Sequence, residues 1–153
     1  MPDRRHFLTA AGLAALACSA EAKEKDDAPS RFTGKVVPLK DLLEKAGSKL
    51  DRDAEPFWLA LVTAEGKVYP IIKDAGGRRY FKDERLRNRE VQITGRLFAN
   101  TGLLQVLSAL GLKDGKAYDL HYWCDICAIK RHELMAYECC GGLMELREEP
   151  VGK

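Results

Sequence analysis

The stretch Glu90-Val-Gln-Ile-Thr-Gly-Arg-Leu-Phe98 decides the fold class. Val91, Ile93, Gly95 and Leu97 alternate with Glu90, Gln92, Thr94 and Arg96, giving one apolar and one polar face. Strand side chains point alternately to opposite faces, so this pattern predicts a half-buried β-strand. Working outward, Asn100-Thr101-Gly102 predicts a turn into a strand over 103–110, and Lys113-Asp-Gly-Lys116 a second turn into a strand over 117–124. Towards the N-terminus, the apolar run 57–63, the turn Glu65-Gly66 and the segment 67–72 predict a hairpin. Pro70, which has no N–H to give to a ladder, places the second of these strands at a sheet edge. A short strand over 31–37 comes first, followed by a short helix from Pro38 to Gly47.

The segments "LVTAEGKVYPI" (61–71), "VQITGRL" (91–97) and "LLQVLSALGL" (103–112) resemble consecutive strands of an OB-fold, with Gly95 letting one strand bend. The fold class expected is therefore mainly β with minor α: a small OB-like barrel over 31–120 and a Cys-rich, zinc-ribbon-like β tail over 121–149. OB-like barrels bind oligonucleotides or oligosaccharides across one face. Between Gly77 and Arg89 stand six basic residues around Tyr80 and Phe81, but Asp83, Glu84 and Glu90 dilute the charge. That segment reads as a solvated face, and nucleic acid is not the expected partner. A formal net charge of +2 over 153 residues is too small to change this.

Of the five cysteines, four crowd between Cys124 and Cys140. Cysteines scattered through an exported domain suggest a disulfide framework, whereas four in one short segment suggest a metal site. Tyr122-Trp-Cys-Asp-Ile-Cys127 contains Cys-x-x-Cys. Covalent haem attachment is excluded because residue 128 is Ala rather than His, and a thioredoxin-like motif would need more sheet than follows Cys127. A tight turn presenting Cys124 and Cys127 to one zinc ion, completed by a second turn at Cys139-Cys140-Gly-Gly142, is the leading expectation. Adjacent cysteines seldom both reach one ion, so His132 is the expected substitute ligand. His121 is a poorer one, because it faces away from Cys124 on an ideal strand. Two disulfides between the cysteine pairs are the alternative. A bridge contributes about 3 kcal/mol, whereas structural zinc supplies roughly 10 kcal/mol in small modules. The same soft ligands, with Met135 and Met144 nearby, would also suit copper(I) or thiol-redox handling.

Residues 3–9, Asp-Arg-Arg-His-Phe-Leu-Thr, resemble the twin-arginine translocation motif, matched at Arg4, Arg5, Phe7 and Leu8. A mild apolar run to Ala20 follows, too short to span a bilayer. A signal peptide over 1–22 and a polar linker over 23–30 are expected. Leu16-Ala17-Cys18 resembles a lipobox, which would make Cys18 a lipidated first residue; cleavage after Ala22 is the other outcome. The leader, "YPIIKDAGGRRYF", "VQITGRL" and the tail "YWCDICAIKRHELMAYECCGGLMELRE" together resemble a family of uncharacterised bacterial exported proteins, in which a further cysteine stands where this chain has Tyr137. That resemblance carries no known activity with it; the residues themselves lead to the expectation of a non-enzymatic binding or scaffold protein of the periplasm or cell envelope, with a structural zinc. Its partner would be an envelope protein or ligand, and membrane contact would come only through the signal or a lipid anchor. Nothing pairs a nucleophile with a base, so no catalytic residue is expected.

Overall fold

A computed structural model describes residues 28–135, 140–142 and 144–152; the expected leader, with Arg4, Arg5, Phe7, Leu8 and Cys18, lies outside them. The chain folds as a mainly antiparallel sheet. Its strands are β1 (Ser30–Pro38), β2 (Leu59–Thr63), β3 (Val68–Pro70), β4 (Glu90–Phe98), β5 (Leu103–Lys113), β6 (Lys116–Cys124), β7 (Ile129–Arg131) and β8 (Glu145–Pro150). Two short helices, α1 (Leu39–Lys45) and α2 (Arg78–Lys82), interrupt them. The hydrogen-bonded order is β3-β2-β1-β4-β5-β6-β7, with β8 on the other edge of β6. The barrel expected from the sequence is not closed. β3 instead curls back to β5 through a single parallel bridge, Ile71 to Leu104, with the Ile72 N–H donating to the Leu104 carbonyl at 3.0 Å.

The alternation read in 90–98 is the alternation observed. Val91 and Ile93 are fully buried, and Glu90 and Arg96 are exposed. Gly95 is needed for close approach rather than for flexibility: a Cβ there would lie 2.3 Å from the Gln105 carbonyl oxygen. Beside it the ladder slips, because Thr94 pairs with Ser108 but Gly95 with Val106, leaving Leu107 as an extra residue on β5. This β-bulge resets the phase of β5, so that Leu104 and Val106 face inward before it and Ala109 and Gly111 after it. Beyond it, Asp114 and Gly115 both adopt positive φ, the form of two-residue turn whose twist suits a hairpin.

One apolar core runs through the molecule. Val36, Leu61, Ile93 and Leu104 belong to the same cluster as Tyr122, Cys124 and Met144. The tail therefore shares the core of the body, and the expected division at residue 120 falls inside β6.

The segment between β3 and β4 joins the two parts: Arg78, Lys82 and Arg85 are exposed, as expected of a solvated face, but Arg79 is not. Arg79 is buried and donates Nη2–H to the Leu120 carbonyl of β6. Arg87 donates to the carbonyls of Tyr80 and Phe81. Asp83, also buried, accepts from the Tyr122 hydroxyl at 2.7 Å and from the Arg85 guanidinium at 2.7–3.0 Å. Burial alone would raise the Asp83 pKa, but the Arg85 fork and the Tyr122 hydroxyl outweigh it and bring the carboxyl down to about 2. Burial, reinforced by the bond to Asp83, pushes the Tyr122 hydroxyl up.

A carboxyl whose folded pKa lies below its unfolded value stabilises the fold above the unfolded value, near 3.9, and loses that contribution as pH falls through about 2. Urea denaturation at pH 7, 4 and 2.5 should show Asp83→Asn less stable than wild type by about 1–3 kcal/mol at pH 7. The gap should narrow across the acid window, and a gap that stays constant would show that ionised Asp83 contributes nothing.

Candidate metal centre

β6 ends at Cys124 and β7 begins at Ile129, and these two residues face each other in register. The intervening residues 125–128 form the turn that carries Cys127, closed by Ala128 at φ 51°. On the opposite edge of β6, β8 pairs from Trp123↔Glu145 to Tyr118↔Pro150. Its Arg147 reaches over the turn to Asp125 at 2.7 Å and lies against the Trp123 ring. Cys140 enters between these elements from the chain preceding β8. Two turns on three antiparallel strands thus bring Cys124, Cys127 and Cys140 together, with all three Sγ atoms within 4.8 Å of one another.

The surroundings favour thiolates. The backbone N–H of Cys127, then the Cys140 side chain and the N–H of Ile126, lower the Cys124 pKa against the opposing effect of burial. The Gly142 N–H points at Cys140 Sγ from 3.4 Å. Thiolate, not thiol, is the form that binds metal. Cys124 Sγ and Cys140 Sγ lie 3.5 Å apart, far from the ~2.05 Å of a disulfide. They are near the roughly 3.8 Å edge of a tetrahedron built on zinc–sulfur bonds of about 2.3 Å. The donor set fits a soft or borderline ion such as zinc.

Of the residues expected to hold metal, Cys124, Cys127 and Cys140 are brought together, and Cys139 lies outside the described residues. His132 does not join them. Its Nε2 lies 3.0 Å from the Asp119 carboxylate, on a half-exposed side chain at the far end of β7. β7 runs away from the turn, so a residue just beyond its end is carried towards the start of β6 rather than back to the thiols. His121 is fully buried, with Nδ1 at 3.6 Å from Asp119 and Nε2 at 3.7 Å from Glu149. Asp119, His121 and Glu149 form a second group with ligand spacing. The Lys130 ammonium already bridges its carboxylates, at 2.6 Å from Asp119 and 3.4 Å from Glu149. Burial opposes ionisation of Asp119, but Lys130 and His132 hold its pKa below the usual value. The i, i+2 spacing of Asp119 and His121 on β6 is the sequence signal for this cluster. Met144 is buried in the core beside the thiols, whereas Met135 is exposed.

The fold and site define a mainly β module carrying a cluster of three cysteines able to hold a metal ion. Compared with known proteins, the chain matches no family model, no curated protein and no solved structure. Among the described residues, no helix is long and apolar enough to cross a membrane.

Gly142 is the residue that leaves room for the sulfurs. A Cβ there would stand 3.2 Å from Cys140 Sγ, 3.2 Å from Ile126 Cδ1 and 3.9 Å from Cys124 Sγ. Ile126 is exposed and can swing away, but Cys140 Sγ would have to shift. In competition with a chromophoric chelator, an ion held by this cluster should be held about tenfold more weakly by Gly142→Ala than by wild type, a cost of roughly 1.4 kcal/mol. Unchanged affinity would place the ion elsewhere.

Proposed function

We propose that this chain is an exported, non-enzymatic β module, acting as a binding or scaffold component of the periplasm or cell envelope, whose tail is fixed by one structural zinc. The observation that carries the metal half of this reading is the meeting of Cys124, Cys127 and Cys140 Sγ within 4.8 Å, on turns that aim N–H groups at the sulfurs. Zinc would act here as a redox-inert clamp joining the β6–β7 turn to the start of β8. Three thiols converging on one point support an ion, which can take all three at once. Export rests on Arg4-Arg5-His-Phe7-Leu8 and the apolar run behind it. The twin-arginine route moves folded proteins, which would let a thiolate site load in a reducing compartment before meeting an oxidising one.

Native mass spectrometry of protein purified from the cytoplasm should find one zinc per chain, unchanged by reductant. Cys124→Ser should lose the ion and His132→Ala should keep it. A mass two or four hydrogens below the reduced chain, with no metal, would establish the disulfide alternative. For export, Arg4→Lys with Arg5→Lys should abolish the periplasmic fraction on immunoblots while leaving expression intact. A variant still exported at the wild-type level would remove the twin-arginine reading.

A further inference from the structure

A cleft of about 520 Å³ opens between β5, α2 and the end of β7, separate from the thiols. One wall is apolar, with Val106, Ala109 and the bulged Leu107, which is 45% exposed although aliphatic. Met135 adds a second exposed apolar side chain to the lining. The rest of the wall is charged, and both of its carboxylates are engaged by other side chains. Glu133 is answered by Arg78 and Lys82, and Asp119 by Lys130 and His132. Arg79 and Arg131 also line the cleft, and neither has a carboxylate within ion-pair distance among the described residues.

Arg79 is the more telling of the two. Only 5% of it is exposed, one nitrogen is taken by the Leu120 carbonyl, and Nε is buried with no partner at all. A guanidinium removed from water without a paired carboxylate is costly to keep. A sequence keeps such a group readily where a ligand supplies the missing charge. Guanidinium forks match carboxylates geometrically, and the adjoining aliphatic wall would take an apolar body.

We propose that this cleft binds a small organic carboxylate with a short aliphatic tail, its carboxylate drawn to Arg79 and Arg131 and its tail lying along Val106, Leu107 and Met135. This gives the binding role proposed above a ligand class and rests on that role. It does not involve the thiols, so failure to bind would leave the zinc site standing.

The test is calorimetric titration of the zinc-loaded full chain with hexanoate, against hexanamide as the neutral isostere and inorganic phosphate as the anion without a tail. Hexanoate should bind at least tenfold more tightly than either, and more weakly as salt rises. Arg131→Gln, at an exposed side chain, should weaken hexanoate about tenfold, and Leu107→Glu should abolish binding by adding a carboxylate to the wall. Arg79→Gln should do the same, but it also removes the bond to Leu120, so the first two variants decide. Equal affinity for hexanoate and hexanamide would overturn the proposal. So would phosphate binding as tightly as hexanoate, no heat at millimolar hexanoate, or both Arg131→Gln and Leu107→Glu binding like wild type.

Discussion

A carboxylate taken out of water has to be answered by donors, and at Asp83 the answer fixes the relation between the body of this protein and its tail. The Arg85 fork neutralises the charge from within the same turn. The remaining bond comes from Tyr122, a residue of β6 that is distant in sequence. Because Asp83 is tied down locally, Tyr122 has one place to put its hydroxyl, and β6 is thereby held against the α2 segment. Arg79 reinforces the same contact through the Leu120 carbonyl, and Arg89 extends it to Glu148 on β8. Cys124 lies two residues beyond Tyr122 on the same face of the strand, so the position of the first thiol follows from a hydrogen bond made far from it.

The parts of the fold legible in the sequence were those whose cause is local. Alternation in 90–98 placed β4, Pro70 marked the edge, and Asp114-Gly115 supplied the turn that its positive φ angles require. The bulge at Leu107 was not legible. "LLQVLSALGL" is apolar on both sides of the slip, and periodicity cannot tell which residue of such a run is left unpaired. Nor could spacing reveal that Arg79 and Asp83 turn inward, since their partners are residues 120 and 122. A basic stretch looks solvated until its distant acceptors are known.

The site divides in the same way. Cys-x-x-Cys is a local signature, and the turn carrying Cys124 and Cys127 followed from it. Recruiting Cys140 required only that the chain return along β6, and β8 does return. His132 failed as a ligand because the strand between it and Cys127 leads away from the thiols, towards Asp119. The metal reading also needs less energy from the ion than the sequence suggested. Tyr122, Cys124 and Met144 are packed in the common core, so the body gives the tail apolar support. What an ion would add is definition of the two turns.

The pairing of β1 with β4 carries a consequence for the order in which these parts form. That ladder runs from Ser30↔Gly95 to Lys35↔Glu90, across the whole of α1, the β2–β3 hairpin and α2. Such non-local contacts wait on the closure of a long loop and form slowly. The three described cysteines lie within one short stretch and can meet by fast local diffusion. The sulfurs therefore encounter one another while the sheet around them is still open. Whichever reagent is present during that interval, ion or oxidant, meets the thiols first.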